Sequence, residues 1–466
     1  MVNSNSRWDK TGRQTTSDKF DDMAVLNEEA IPFATAVRVW LKISLLSFGG
    51  PAGQIAVMHR LIVTEMKWIS ERRFLHALNF CMLLPGPEAQ QLTIYLGWLL
   101  HRVRGGVVAG VLFVLPGAIS MLALSMIYIT YQNAAVLESV FVGVKATVLA
   151  IVLSALCRLG RRLLHRPVML AIAVGAFACS FMLSVPFPMV ILLAGLAGII
   201  FRISPDQDVV LGPNNRKNTD PDLVVSSTPH NLSARRVVTV LAICGALWLV
   251  PVIALHTMLG VGHIYAQQSL FFSQMAVVTF GGAYAVLSYM AEQTVDHYGW
   301  LNGGEMLDGL GLAETTPGPL ILLTEFVGFV TAFHAGGLYY GIAGGMVALW
   351  ATFIPCFLWI FIGSPYIDWL TQQPRLQGAL SGIMAAVVGV IANLFLWFTL
   401  NIVFSNIAEK HLGPIKILLP DFTSANITII TIALISAILA YGFKSGLFVI
   451  LATAASLGLV IGALSS

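Results

Sequence analysis

Runs of apolar residues as long as a bilayer is thick, several of them broken near their middles by glycine and proline, confine this chain to few folds. Stretches 106–129, 135–156 and 376–400 are almost wholly apolar, and about 20 such residues span the hydrocarbon core as a helix. Only 11% of the residues are charged, while 57% are hydrophobic; a soluble domain carries roughly 25% charged residues. Most of the surface therefore faces lipid. In lipid every backbone amide and carbonyl must be satisfied internally, so an all-α integral membrane protein is the expected class. The first 30 residues are polar and mixed in charge, with no apolar core ahead of a cleavage site, and read as a soluble tail (residues 1–32).

The second constraint is internal repetition. An offset of 232 places Phe48-Gly49-Gly50 on Phe280-Gly281-Gly282, Trp68 on Trp300 and Pro85-Gly86-Pro87 on Pro317-Gly318-Pro319. One residue is then lost, so Gly97 meets Gly328 and Gly105-Gly106 meets Gly336-Gly337; after a small insertion Gly143 meets Gly382. Leucines align by chance. F-G-G, Trp and P-G-P in one register do not. The boundaries follow: a first repeat at 33–201, a polar linker at 202–236, a connecting transmembrane helix at 237–258 and a second repeat at 265–466.

Cytoplasmic loops accumulate Lys and Arg. Arg60, Lys67, Arg72 and Arg73 follow the first broken segment, whereas the matching stretch holds Glu292, Asp296, Glu305 and Asp308 and no Lys or Arg. Arg158, Arg161, Arg162 and Arg166 mark another cytoplasmic loop, as do the basic residues of the linker. Matching loops thus fall on opposite sides, which predicts inverted-topology repeats, with the N-terminus cytoplasmic and the C-terminus periplasmic. Counted singly there are about 13 apolar segments. If the broken ones enter and leave on one face, there are instead about nine spans and four re-entrant hairpins.

Proline removes a backbone donor and glycine lets the chain turn. Such breaks survive in a membrane where they line a cavity, and paired broken helices in repeat transporters mark the substrate site near the midplane. Half-helix N-termini there present free N–H groups and a positive dipole end, suited to an anion. Candidate binding residues are therefore Gly49, Gly50, Pro85, Gly86 and Pro87 in the first half, and Phe280, Gly281, Gly282, Pro317, Gly318 and Pro319 in the second. Gln90 and Gln91 add neutral donors, though Gln between packed helices is equally structural. Arg38 and Lys42 share a helical face leading to the first F-G-G, and either bind the anion or snorkel to headgroups. Lys145 lies inside an apolar span and is a candidate cation for the substrate. Glu88, Glu314 and Glu325, next to the P-G-P breaks, are candidates for coupling or gating.

The segments Ser47-Phe48-Gly49-Gly50-Pro51 and Leu84-Pro85-Gly86-Pro87-Glu88-Ala89-Gln90-Gln91, with Tyr95-Leu96-Gly97-Trp98 and their repeats, resemble the chromate ion transporter family in its long, two-domain form. The likeness runs from about Phe33 onward. It departs after the second P-G-P, where Leu320 replaces Glu88 and Ile321-Leu322-Leu323 replaces Ala89-Gln90-Gln91. The resemblance implies chromate efflux across the bacterial inner membrane and chromate resistance, with sulfate as a structural analogue. A dianion leaving a cell that is negative inside gains ~4.6 kcal/mol per 100 mV, so export can run on membrane potential alone.

Other readings stay open at this stage: a sulfate or other oxyanion transporter, a membrane enzyme acting on a lipid-linked substrate, and a sensor. No P-loop sequence occurs. The five cysteines lie singly in apolar stretches and the ten histidines have no ligand spacing, so no metal, cofactor or catalytic group is expected. The expected partners are a small oxyanion and the bilayer, not nucleic acid; oligomeric state stays open, a homodimer included.

Overall fold

The computed structural model describes residues 31–48, 50–131, 134–203, 234–280, 283–371, 373–412, 415–443 and 445–465. The expected tail and linker lie almost entirely outside the described residues, as do Gly49, Gly281 and Gly282. Six described helices are long and apolar enough to cross a membrane, and four shorter apolar helices accompany them.

The first half begins with α1 (Phe33–Leu46), which stops at the F-G-G-P sequence, and α2 (Gly50–His59), which runs into a π-helical turn at Arg60–Glu65. Next come α3 (Glu71–Leu83), N-capped by Ser70, and α4 (Glu88–Tyr131), which begins just past P-G-P. α4 is broken at His101 and Arg102, whose backbone is not helical, into arms 88–100 and 103–131. The half closes with α5 (Ala135–Leu163), α6 (Pro167–Leu183) and α7 (Phe187–Ile200).

After α8 (Ala234–Leu259) the same succession recurs. α9 (Ile264–Val278) stops before F-G-G, and α10 (Ala283–Ala291) runs into a π-helical turn at Glu292–His297. α11 (Gly303–Thr315), opened by an Asn302–Glu305 capping box, ends at P-G-P, and a 3₁₀ turn (Leu320–Leu322) leads into α12 (Leu323–Gly336). α13 (Leu338–Gly363), the short α14 (Ile367–Thr371) and α15 (Pro374–Val403) follow, then α16 (Ile427–Tyr441) and α17 (Leu447–Ser465). Between α15 and α16 lies an addition to the all-α expectation: strands β1 (Ile407–Leu412) and β2 (Ile415–Pro420) pair antiparallel, Ile407 opposite Pro420. Glu409, Lys410 and Lys416 interrupt the apolar run there, and an antiparallel hairpin pairs backbone groups between its two strands without needing a helix.

Glycine contacts refine the sequence register. Gly97 and Gly105 abut, each lying where the other's Cβ would meet a backbone carbonyl at 2.5 Å or less. Gly328 meets Gly344 in the same way, not Gly336. The counterpart of Gly105 is thus Gly344, at the offset of 239 that also relates Gly143 to Gly382 and Pro116 to Pro355. The second half therefore carries eight extra residues around its turn, about one helical turn on each side of Gly337.

Close packing exchanges elements between the halves. α6 and α7 lie on α15, while α16 and α17 lie on α5. The contacts are backbone-close: a Cβ on Gly382 would stand 2.3 Å from the Ala194 carbonyl, and one on Gly143 2.1 Å from that of Ala454. Small residues permit such approach, and van der Waals packing holds apolar helices together where no hydrophobic force acts between them. Outward faces of α7 and α8 carry exposed Leu192, Ile200, Val250 and Ile253. Such faces suit lipid tails.

Candidate functional site

The four breaks meet. The amide of Gly86 donates to the Thr279 carbonyl at 2.8 Å, and the amide of Gly318 donates to the Ser47 carbonyl at 2.8 Å. Each P-G-P thus binds the residue just before the other half's F-G-G. Ser47 and Thr279 are anchored alike at the ends of α1 and α9, each hydroxyl donating one turn back, to Ile43 and Met275. Gly86 (φ +127°), Gly318 (φ +92°) and Gly50 (φ +77°) hold backbone conformations that side chains rarely adopt. A Cβ on Gly86 would lie 2.7 Å from Gln91 Nε2 and 3.1 Å from Cys356 Sγ.

Around this junction the polar groups are unequal. Gln54 Nε2 donates to the Gly318 carbonyl (2.6 Å) and Gln91 Nε2 to the Pro85 carbonyl (2.6 Å). The remaining amide oxygen of each is buried without a partner among the described residues, as are both amide atoms of Gln90. Leaving such groups unpaired costs ~1–3 kcal/mol each, so a cluster of them fits a place where something else bonds. Gln90 stands in the first turn of α4, where free N–H groups and the dipole favour negative charge. The second P-G-P leads instead into buried Leu320, Ile321 and Leu322.

The carboxylates divide as well. Buried Glu314 accepts from Tyr284 Oη at 2.8 Å, tying the second P-G-P to the second F-G-G, and Arg158 is within Coulombic range of both. Glu88 is within such range of Arg162. Glu325 is buried in α12, one carboxylate oxygen unpartnered among the described residues.

Three sequence candidates fall elsewhere. Arg38 and Lys42 are exposed on α1, while Ala36, Val39, Trp40 and Ile43 on its other side pack inward. Lys145 Nζ lies 3.2 Å from Asp308 Oδ2, which also accepts from Tyr128 Oη at 3.0 Å. Its charge is balanced by an acid of the other half. Phe280 packs partly buried in the larger core cluster, and Pro317 and Pro319 flank Gly318. Among the described residues no cluster of His, Cys, Asp and Glu is placed to hold a metal.

Sequence reading missed one group. Arg158, Arg161 and Arg162 were expected only to mark a loop, yet they lie within α5 and line a cavity of about 410 Å³ with Ser154, Cys157 and Tyr441. Their spacing of three and four residues, which puts them on one helical face, was the available signal.

The sequence pattern of the chromate transporter family matches residues 34–199 and again 266–459. The chain belongs to the chromate transporter family. It is 32% identical over 357 residues to a chromate transport protein of Pseudomonas aeruginosa, covering 76% of this chain and 77% of that one. A probable chromate transport protein of Synechococcus elongatus is 30% identical over 356 residues (76% and 81% of the two chains). A chromate transport protein of Cupriavidus metallidurans is 28% identical over 356 residues (76% and 80%). No solved structure matches the chain. This member of the chromate transporter family is a multi-pass membrane protein and a transporter, not an enzyme.

Proposed function

We propose that the chain exports chromate from the bacterial cytoplasm across the inner membrane, driven by the membrane potential, and so confers chromate resistance. The reading rests above all on the junction of four broken segments, joined by Gly86–Thr279 and Gly318–Ser47, with Gln90 Nε2, a buried donor unpartnered among the described residues, beside it. The Gln90 amide nitrogen and a helix N-terminus complement a tetrahedral oxyanion, and a polar junction inside apolar packing is where a transporter holds its cargo. The named relatives supply chromate as the ion; sulfate shares its shape and charge and is the competing substrate.

The topology proposed with it is nine crossings and four re-entrant hairpins. The hairpins are α1–α2, α3 with the first arm of α4, α9–α10, and α11–α12. The crossings are the second arm of α4, then α5, α6, α7, α8, α13, α15, α16 and α17. Repeats 33–201 and 265–466 are then inverted, the single helix α8 supplying the odd crossing, with the N-terminus cytoplasmic and the C-terminus periplasmic. Support comes from the loop charges, from His101 Nε2 bonding the Ile31 carbonyl at one hairpin mouth and from Tyr265 Oη bonding the Tyr340 carbonyl at another.

Everted membrane vesicles energised by respiration test the function. Accumulation of labelled chromate, abolished by a potential-collapsing ionophore and reduced by excess sulfate, is the expected result. Vesicles that take up sulfate but not chromate would move the substrate to sulfate, and accumulation only in right-side-out vesicles would reverse the direction.

A further inference from the structure

The cavity between the ends of α5 and α16 has no assigned role. Arg158, Arg161 and Arg162 enter it from one face of α5, and Ser154, Cys157 and Tyr441 complete the lining. Tyr441 comes from the other half of the chain and sets its hydroxyl beside Ser154 and Cys157. No carboxylate lines the cavity, and Arg158 and Arg161 have no carboxylate partner within ion-pair distance among the described residues. Favourable interaction with the C-terminal dipole explains cations at the end of α5. It does not explain an open pocket with hydroxyls from both halves.

From this geometry we infer a loading site in which the three guanidinium groups hold a tetrahedral oxyanion dianion before it reaches the broken segments. The identity of that dianion as the transported one rests on the function proposed above. Guanidinium forks match the oxygen pairs of such an ion, and hydroxyls of Ser154 and Tyr441 add neutral donors. At about 410 Å³ the chamber holds roughly a dozen waters of ~30 Å³ each, so the ion enters with part of its hydration shell. Arg158 and Arg162 also face inward electrically, toward Glu314 and Glu88 at the two P-G-P breaks. The chemistry would also fit a lipid phosphate; an ion arriving from the water is the occupant inferred here, because apart from the Tyr441 ring the lining carries no large apolar side chain to receive an acyl chain.

Cys157 reports on the chamber. In the full chain with Cys81, Cys179, Cys244 and Cys356 replaced by alanine, N-ethylmaleimide labels Cys157. Molybdate serves as the probe, since chromate would oxidise the thiol. Millimolar molybdate is expected to slow labelling severalfold in detergent free of anionic lipid, compared with sodium chloride at equal ionic strength. Arg161→Gln is expected to remove that protection and Arg161→Lys to keep part of it. In vesicles Arg161→Gln should raise KM for chromate about tenfold, the loss of one charge-assisted contact, with kcat little changed. Absence of protection in the unsubstituted arginine background overturns the inference, as does protection by phosphatidylglycerol alone. Protection in a protein that moves no chromate would keep the site and sink the proposed function instead.

Discussion

The Gly86 amide donates to the Thr279 carbonyl across the two halves at 2.8 Å, and its counterpart from Gly318 to Ser47 has the same length. Two bonds of equal length join the breaks of one half to those of the other, so neither half completes its own junction. Gly86→Ala places a Cβ against a Gln91 amide that is already bonded, in a backbone conformation with φ +127°. The expected cost is ~1–3 kcal/mol of stability together with loss of chromate accumulation. Thermal unfolding and vesicle transport on the same preparation check this, and normal transport by Gly86→Ala would show the junction to be incidental.

Lys145 and Asp308 form a pair in which the acid is buried and the lysine half-buried, with side chains 7% and 24% exposed. Removing the lysine alone strands the acid, at ~3–5 kcal/mol. Lys145→Met should therefore yield little folded protein. The double variant Lys145→Met with Asp308→Asn removes both charges and is expected to restore stability and transport together. A stable double variant that cannot transport would place a substrate contact on Lys145.

Tyr284 and Glu314 test the link between the second F-G-G and the second P-G-P. Tyr284→Phe deletes a hydrogen bond to a carboxylate and should lower stability by ~1.5–3 kcal/mol. Glu314→Gln keeps an acceptor for that tyrosine and removes a negative charge near Arg158. Stability close to the parent with turnover reduced at least severalfold is expected if Glu314 gates. Unchanged turnover in vesicles would leave it a structural tie.

How much of this was legible follows from chemistry that does or does not act locally. F-G-G and P-G-P stand out because glycine and proline in an apolar run must break a helix wherever the chain goes next. The helices did break there, and the unequal amides after the two P-G-P sequences were also readable. The Lys145–Asp308 pair was not, because nothing local announces an acid supplied by the other half. The cavity lined by Arg158, Arg161 and Arg162 was hidden for a different reason: arginines at a helix end satisfy the charge rule for loops whether or not they also line a cavity. The eight extra residues around Gly337 escaped notice because Gly336-Gly337 offers a false match for Gly105-Gly106, and only packing against Gly328 picks Gly344.

Orientation follows from charge and can be measured. With the reading of nine crossings, reporters active only outside the cytoplasm should score positive after residue 465 and in the loop containing Asp296. The same reporters should be silent in the loop containing Arg72. Silence at all three positions would remove the inversion.

The exchanged helix pairs give the sharpest structural test. Apolar helices give no sequence sign of which partner they choose, yet Gly143 and Gly382 sit where backbones nearly touch, one in α5 and the other in α15. Valine at either position drives a side chain into the carbonyl of Ala454 or Ala194. Because this contact is backbone on backbone, rotamer changes cannot relieve it; each variant is expected to lose ~1–3 kcal/mol or more. Gly175 in α6 is the control, since a Cβ there meets nothing within 4 Å. Gly175→Ala should leave the protein as stable or raise it by up to ~1 kcal/mol through helix propensity. Equal tolerance at all three glycines would mean that α6–α7 and α16–α17 do not pack across the halves. Loss at 143 and 382 with none at 175 is what the exchange requires, because the same deficit at two sites on different halves has one common cause only if each half completes the other.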